Sequence, residues 1–254
     1  MGSGLGSLFA IDMAIQWSLW AVAAALKTEK FYDLAGSSTF GLLVAMSYRN
    51  SSGHLRQKIQ TAMVATWAAR LGLFLFGRVM KQGSDSRFDK VKNQPGTFLM
   101  YWTVQGLWVM VTLLPTLMLN SSRQNPPLCS LDYLGWALWA SGFLLEVVAD
   151  EQKRRFRLDP SNTSKWIESG VWSCSRHPNY LGEIMLWAGL FTSASAVFSG
   201  WQWASLGSPL FVAYLLTKVS GIPILERQAH RRWGTIPAFM EYRKRTAVLV
   251  PWIW

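Results

Sequence analysis

Cysteine is nearly missing: the chain of 254 residues holds two, Cys129 and Cys174. They fall in separate loops, expected on opposite sides of a membrane, which excludes a disulfide between them. No C-x-x-C or H-E-x-x-H spacing occurs, so no metal site is expected. Charge is scarce as well. Charged residues make up 15% of the chain and hydrophobic ones 50%, which excludes an ordinary soluble domain of this length. Acidic residues are the rarer sign, 14 against 25 basic, for a net charge of +11. The basic residues do not line one amphipathic face, as a nucleic-acid partner would require. They cluster in loops between apolar runs, where the positive-inside rule accounts for them. A phosphate-cradling glycine loop is missing too. The stretch GSGLG, Gly2 to Gly6, has no strand before it and no third glycine, so it reads as a flexible terminus. No basic segment precedes the apolar residues 8–26, so no cleavable signal peptide is expected.

What the chain does have is tryptophan, 15 residues of it, and a series of apolar runs near the ~20 residues that cross a bilayer. The runs lie at 8–26, 34–48, 60–77, 97–119, 132–149, 179–199 and 205–220. The expected fold is therefore all-α: a polytopic membrane bundle of about seven transmembrane helices in one membrane domain. With the N-terminus outside, the cytoplasmic segments are 27–33, 78–96, 150–178 and 221–254. This threading puts 20 Lys and Arg on the cytoplasmic side and four outside, and it leaves the C-terminus in the cytosol.

Two cytoplasmic segments carry unusual polarity. In the first, Glu146, Asp150, Lys153 and Arg157 follow helical spacing and form one polar stripe. A solvated helix end with i,i+4 ion pairs would look the same. Glu146 lies inside an apolar run, where a carboxylate is costly and calls for an interior partner. Next comes SRHPNYLGE, Ser175 to Glu183. Pro178 suits the first turn of a helix. The helix would open there, its positive dipole end at the membrane surface, which favours an anion. Asn179 and Glu183, four apart, share one face of it. A snorkelling cap with Glu183 paired to a nearby arginine is the structural alternative. The second segment, Glu226 to Thr246, sets Glu226, Arg227 and His230 at helical spacing and Tyr242 beyond a loop holding Gly234 and Pro237. Its basic residues alone would suit lipid heads. The two segments flank one hairpin of spans, so they are expected to converge on a shared anionic ligand.

These residues resemble the C-terminal signature of the steroid 5-alpha-reductase-like membrane family, in particular its DUF1295 branch. The matching pieces are Asp150 with Arg157 ahead of Gly170-Val-Trp172, then SRHPNYLGE, then LERQAHRRWG…YRKRT…VPW. A fourth piece comprises Trp67, Arg70, Arg78, Asp85 and Arg87. The likeness covers about the last 120 residues well and the first half loosely. It implies a seven-helix fold that binds NADPH from the cytosol. Residues 132–254 would be the cofactor-binding part and 1–131 the substrate-side helices.

By position, Asp150 and Arg157 would hold the phosphate and adenosine side. Asn179 and Glu183 would hold the nicotinamide end, with Arg176 and Tyr180 close by. Arg227, His230 and Tyr242 would close over the cofactor. The implied reaction is reduction of a carbon–carbon double bond conjugated to a carbonyl, in an apolar steroid- or isoprenoid-like substrate that enters from the lipid. An acid would hydrogen-bond the carbonyl oxygen. The family supplies a glutamate and a tyrosine for this from its N-terminal half. Here LGLFLFGR, Leu71 to Arg78, has no tyrosine, and the nearest acidic and phenolic candidates are Glu29, Tyr32 and Asp33 in TEKFYDLAG, of which Glu29 and Tyr32 are taken for the role.

Two other classes compete. Isoprenylcysteine and phospholipid methyltransferases carry a similar RHP-x-Y element and use S-adenosylmethionine, a cofactor without phosphate. A non-catalytic lipid-binding membrane protein could keep the same fold. The absent signal peptide and apolar anchor fit the endoplasmic reticulum. Oligomeric state is not legible in the chain.

Overall fold

Apolar runs interrupted by proline set the architecture. The computed structural model describes residues 3–82 and 88–253, with the side chains of 4–77 and 88–253. The side chain of Arg78, and Asp85 and Arg87 entirely, lie outside the described residues. The helices are α1 (Ser3–Leu26), α2 (Tyr32–Arg49), α3 (Leu55–Gln82), α4 (Pro95–Ser121), α5 (Ser130–Leu158), α6 (Pro178–Ser195), α7 (Gly207–Tyr214), α8 (Ile222–Trp233) and α9 (Pro237–Arg245). Proline opens α4, α6 and α9 and sits in the first turn of α8. Its missing N–H costs nothing there, and its fixed φ suits a helix start. Pro237, expected in a loop, therefore begins a helix. Among the described residues the fold is all-α, and its one β feature is a single bridge from Ser175 to Ala247.

Five helical segments among the described residues are long and apolar enough to cross a membrane: Gly4–Leu26, Leu55–Gly77, Pro95–Ser121, Ser130–Leu158 and Gly200–Trp233. The protein is a polytopic membrane bundle. Helices α2 and α6 form where spans were expected, but both are only 18 residues long. Both also carry polar residues, Asp33, Ser37, Ser38 and Thr39 in α2 and Asn179 and Glu183 in α6. Helix α5 outruns its expected end at 149 by nine residues, carrying the polar stripe to Leu158. The seventh run is compound: a 3-10 helix over Gly200–Leu206, then α7, then a π-helical turn over Leu215–Val219.

The chain divides into two compact units, Met1–Cys129 with Ala194–Ser208, and Ser130–Ser193 with Pro209–Trp254. In the first, α1 to α4 pack around aromatic rings. Phe40 meets Trp67 and Trp108 at centroid distances of 5.0 and 4.8 Å, edge to face. Tyr32, Phe88, Phe98 and Trp102 form a second group near the start of α2. The end of α4 would leave carbonyls without partners. Gln57 meets this need, donating from Nε2 to the carbonyls of Leu119 and Ser122, each at 3.0 Å.

In the second unit α5 and α6 touch along a glycine seam. A Cβ placed on Gly135 would stand 2.6 Å from the Gly189 carbonyl, and one on Gly142 would stand 2.5 Å from that of Gly182. The reverse contacts are equally close. Both pairs are seven residues apart along their helices, so the small positions fall on one face of each. Such close approach lets backbones gain dispersion contacts in a membrane, where no hydrophobic driving force separates helices from lipid.

Candidate active site

The site is built where the start of α6 meets the chain's tail, inside the second unit. Its floor is the inner half of α5. There the Gly170–Ser173 turn is tied down by three contacts. Trp172 donates from Nε1 to the Ala149 carbonyl at 3.0 Å. Val171 N–H donates to Gln152 Oε1 at 3.0 Å. Lys153 Nζ sits 4.5 Å over the Trp172 ring. Gly170 has a φ of +62°, and a Cβ there would meet the Gln152 amide at 2.4 Å. Only glycine meets both demands, left-handed backbone and close approach.

The tail is laced to the approach of α6. Arg176 N–H donates to the Ala247 carbonyl at 2.9 Å, and Ser175 Oγ to that of Leu249 at 2.7 Å. Tyr242, buried, donates its hydroxyl to the Trp172 carbonyl at 2.9 Å. Burial raises the Tyr242 phenol well above its ordinary value, so this hydroxyl stays protonated and keeps donating.

Between these strands of chain lies an ion cluster. Glu226 Oε2 is 3.2 Å from Arg176 Nη2 and 3.2 Å from Arg243 Nη2, while Oε1 is 3.0 Å from His177 Nε2. Arg176 also donates from Nη1 to the Arg243 carbonyl at 2.7 Å. One carboxylate thus faces two guanidinium groups and an imidazole. The His177 ring stacks on Tyr180 at 5.7 Å and 8°. Burial lowers the His177 pKa below its ordinary 6.5, against the opposing pull of Glu226. The neutral ring donates from Nε2 to the carboxylate. Excess positive charge therefore resides on the arginines. Arg176 Nε and Arg243 Nε are both buried N–H donors with no partner among the described residues.

The two expected polar segments do meet. Arg176, from the first, and Glu226 and Arg243, from the second, are in direct contact. Tyr180, Asn179 and Glu183 follow on the first turns of α6, each half-buried. Asp150 and Arg157 lie on α5, half-buried and exposed respectively. Arg227 and His230 are exposed on α8. Arg227 Nε donates to the Pro223 carbonyl at 3.1 Å, and His230 Nδ1 lies 3.5 Å from Arg243 Nη1. Glu226 and Arg243 were in the tail motif but not among the expected site residues. Nothing in their spacing distinguishes them from solvated charges; only the folded tail makes Glu226 the common partner.

The other two candidates, Glu29 and Tyr32, lie in the first unit. Glu29 is buried and pairs with Lys92 at 3.2 Å. Tyr32 donates its hydroxyl to the Tyr101 carbonyl at 2.9 Å. Its ring packs on Phe88 and Trp102. The same unit has a groove of about 340 Å³ between α2 and α3, lined by Ser37, Ser38, Gly41, Ala65, Ala68 and Gly72 among others.

Comparison with known proteins gives three likenesses. The family model described as "Protein of unknown function (DUF1295)" matches residues 19–246. A Delta(14)-sterol reductase of Aspergillus fumigatus is 39% identical over 66 residues, covering 20% of this chain and 13% of that protein. The 3-oxo-5-alpha-steroid 4-dehydrogenase 1 of Macaca fascicularis is 28% identical over 120 residues, 47% of this chain and 40% of that one. The chain thus spans well under two thirds of either curated relative. No solved structure matches it.

Proposed function

The chain belongs to the DUF1295 family, and on that premise we propose that it is an NADPH-dependent membrane reductase. Its reaction would saturate a carbon–carbon double bond conjugated to a carbonyl in an apolar, steroid- or isoprenoid-like substrate. The observation that carries this reading is the cluster at Glu226. Two buried guanidinium N–H groups, Arg176 Nε and Arg243 Nε, have no partner among the described residues. Buried donors of this kind are costly unless something accepts from them. An anionic, phosphate-bearing cofactor fits that donor set, and S-adenosylmethionine, which lacks phosphate, fits it less well. The reductase and dehydrogenase named above add weight from the side of likeness.

In this reading Asp150 and Arg157 hold the adenosine and phosphate side of NADPH, and Asn179 and Glu183 hold the nicotinamide end. Arg176 and Tyr180 stand beside that end, with Arg227 and His230 closing from α8. Tyr242 acts through the tail it locks to the Trp172 carbonyl. Bound NADPH supplies a hydride. The protein's part is to orient the ring, to exclude water, and to donate a hydrogen bond to the substrate carbonyl. Glu29 and Tyr32 are the candidates for that last task, Glu29 only as the protonated acid, freed from its pair with Lys92. A carbonyl ligand at Tyr32 has to displace the bond to Tyr101.

The placement is a multi-pass protein of the endoplasmic reticulum threaded by seven helices, with its C-terminus in the cytosol. Thermal unfolding of the detergent-purified chain with NADPH, NADH or S-adenosylmethionine tests the cofactor. A ligand at ~100 times its Kd stabilises by about 2.7 kcal/mol. NADPH is expected to raise Tm and S-adenosylmethionine to leave it unchanged. A rise with S-adenosylmethionine alone would replace the reductase with a methyltransferase. No rise with any of the three would point to a lipid-binding role.

A further inference from the structure

Helix α1 buries one charged residue type, and neither the reading above nor any likeness uses it. Asp12 lies in the middle of an otherwise uncharged helix and is 0% exposed. Its surroundings form a directed chain of amides. Gln105 donates from Nε2 to Gln16 Oε1 at 3.0 Å and to the Tyr32 carbonyl at 3.2 Å. Gln16 donates from Nε2 to Thr39 Oγ1 and to Asp12 Oδ1, each at 3.3 Å. Thr39 gives its own proton to the Ala35 carbonyl at 2.8 Å. Both amides spend their N–H groups, on Gln16 Oε1, the Tyr32 carbonyl, Thr39 Oγ1 and Asp12 Oδ1, so neither has one left for Asp12 Oδ2. Its second oxygen, Oδ2, is buried with no partner.

We propose that Asp12 is a proton-binding site inside the membrane-spanning bundle, occupied as a neutral carboxylic acid with its proton on Oδ2. One amide hydrogen bond is far too little to hold a carboxylate in a water-free interior. Among the described residues of α2 and α4, the helices that present groups to it, no cation stands nearby. Helix α4, which presents Gln105 and Gly106, has no charged residue. Helix α2, which presents Thr39, carries charge only at its ends, Asp33 and Arg49. Those stand six and ten residues from Thr39, about 9 and 15 Å along the helix. Gly106 lets α4 close over the site: a Cβ there would lie 3.4 Å from Asp12 Oδ1 and 2.2 Å from the Met13 methyl. In the neutral acid, Oδ1 keeps the bond from Gln16, and Oδ2 becomes a donor instead of an unpaired negative charge. The assignment is independent of the reductase reading.

Infrared spectroscopy of the full chain labelled with [4-13C]aspartate, at neutral pH in detergent, tests it. The buried aspartates among the described residues are Asp12 and Asp132. The labelled-minus-unlabelled spectrum is expected to contain the carbonyl stretch of a protonated aspartic acid. Asp12→Asn should remove that band, and Asp132→Asn should retain it. A spectrum holding only carboxylate stretches overturns the proposal, as does a protonated band that persists in Asp12→Asn. If Asp12→Asn does not fold, labelled Asp132→Asn decides alone: the band present supports the site, and the band absent sinks it.

Discussion

At the scale of single residues, Glu226 is where sequence and structure part most. Written out, it is one of several charges on a polar helix. Folded, it faces two guanidinium groups and a neutral imidazole, Arg176 and His177 from the approach to α6 and Arg243 from α9. His177 shows the same dependence and has a consequence in pH. Its pKa is depressed by burial below 6.5, so the folded protein binds fewer protons there than the unfolded chain. The contribution of His177 to stability is thus complete above 6.5 and is lost as pH falls below it. Tm in detergent should decline on acidification from neutral pH. His177→Gln, which cannot charge, should flatten that part of the curve; an unchanged slope would mean other groups set it. The residues on α6 itself were legible from sequence, because proline at a helix start and a four-residue spacing act locally. The partners of Arg176 were not, because they lie 50 and 67 positions further along the chain.

Among elements, the α5–α6 pair decides how the site is held. Its seam is written in the sequence as four glycines, at 135, 142, 182 and 189. In a linear reading these look like weak points in apolar runs, since glycine costs ~1 kcal/mol against alanine inside a helix. In the fold they are the positions where two backbones meet. Gly142→Leu should force α5 and α6 apart and destabilise by about 1–3 kcal/mol or more, because backbone carbonyls cannot move aside as side chains do. Gly96→Ala in α4, where a Cβ meets nothing within 4 Å, is the control and should leave Tm near that of the parent. Equal Tm values for the two variants would show that the seam is not tightly packed. The gain of nine residues on α5 has a related cause: the stripe residues keep helical spacing past the apolar run, and an end placed by hydropathy alone stops too early.

For the whole molecule, the seven-helix threading puts Cys129 outside and Cys174 in the cytosol. Both are exposed free thiols. In sealed microsomes with the cytosolic face outward a membrane-impermeant maleimide should label Cys174 and spare Cys129 until detergent is added. Labelling of both, or of Cys129 alone, would require a different threading. By itself the sequence determined the class of the protein, an all-α membrane bundle, because that outcome depends on composition and on the lengths of apolar runs. It also determined where α6 begins, because Pro178 acts within one turn. Tertiary structure alone decided which charges belong together, which glycines are contacts, and that Asp12 sits beside two amides, from α1 and α4, and the Thr39 hydroxyl of α2. Such pairings depend on the distance between side chains in the folded bundle, and separation along the chain does not carry that information.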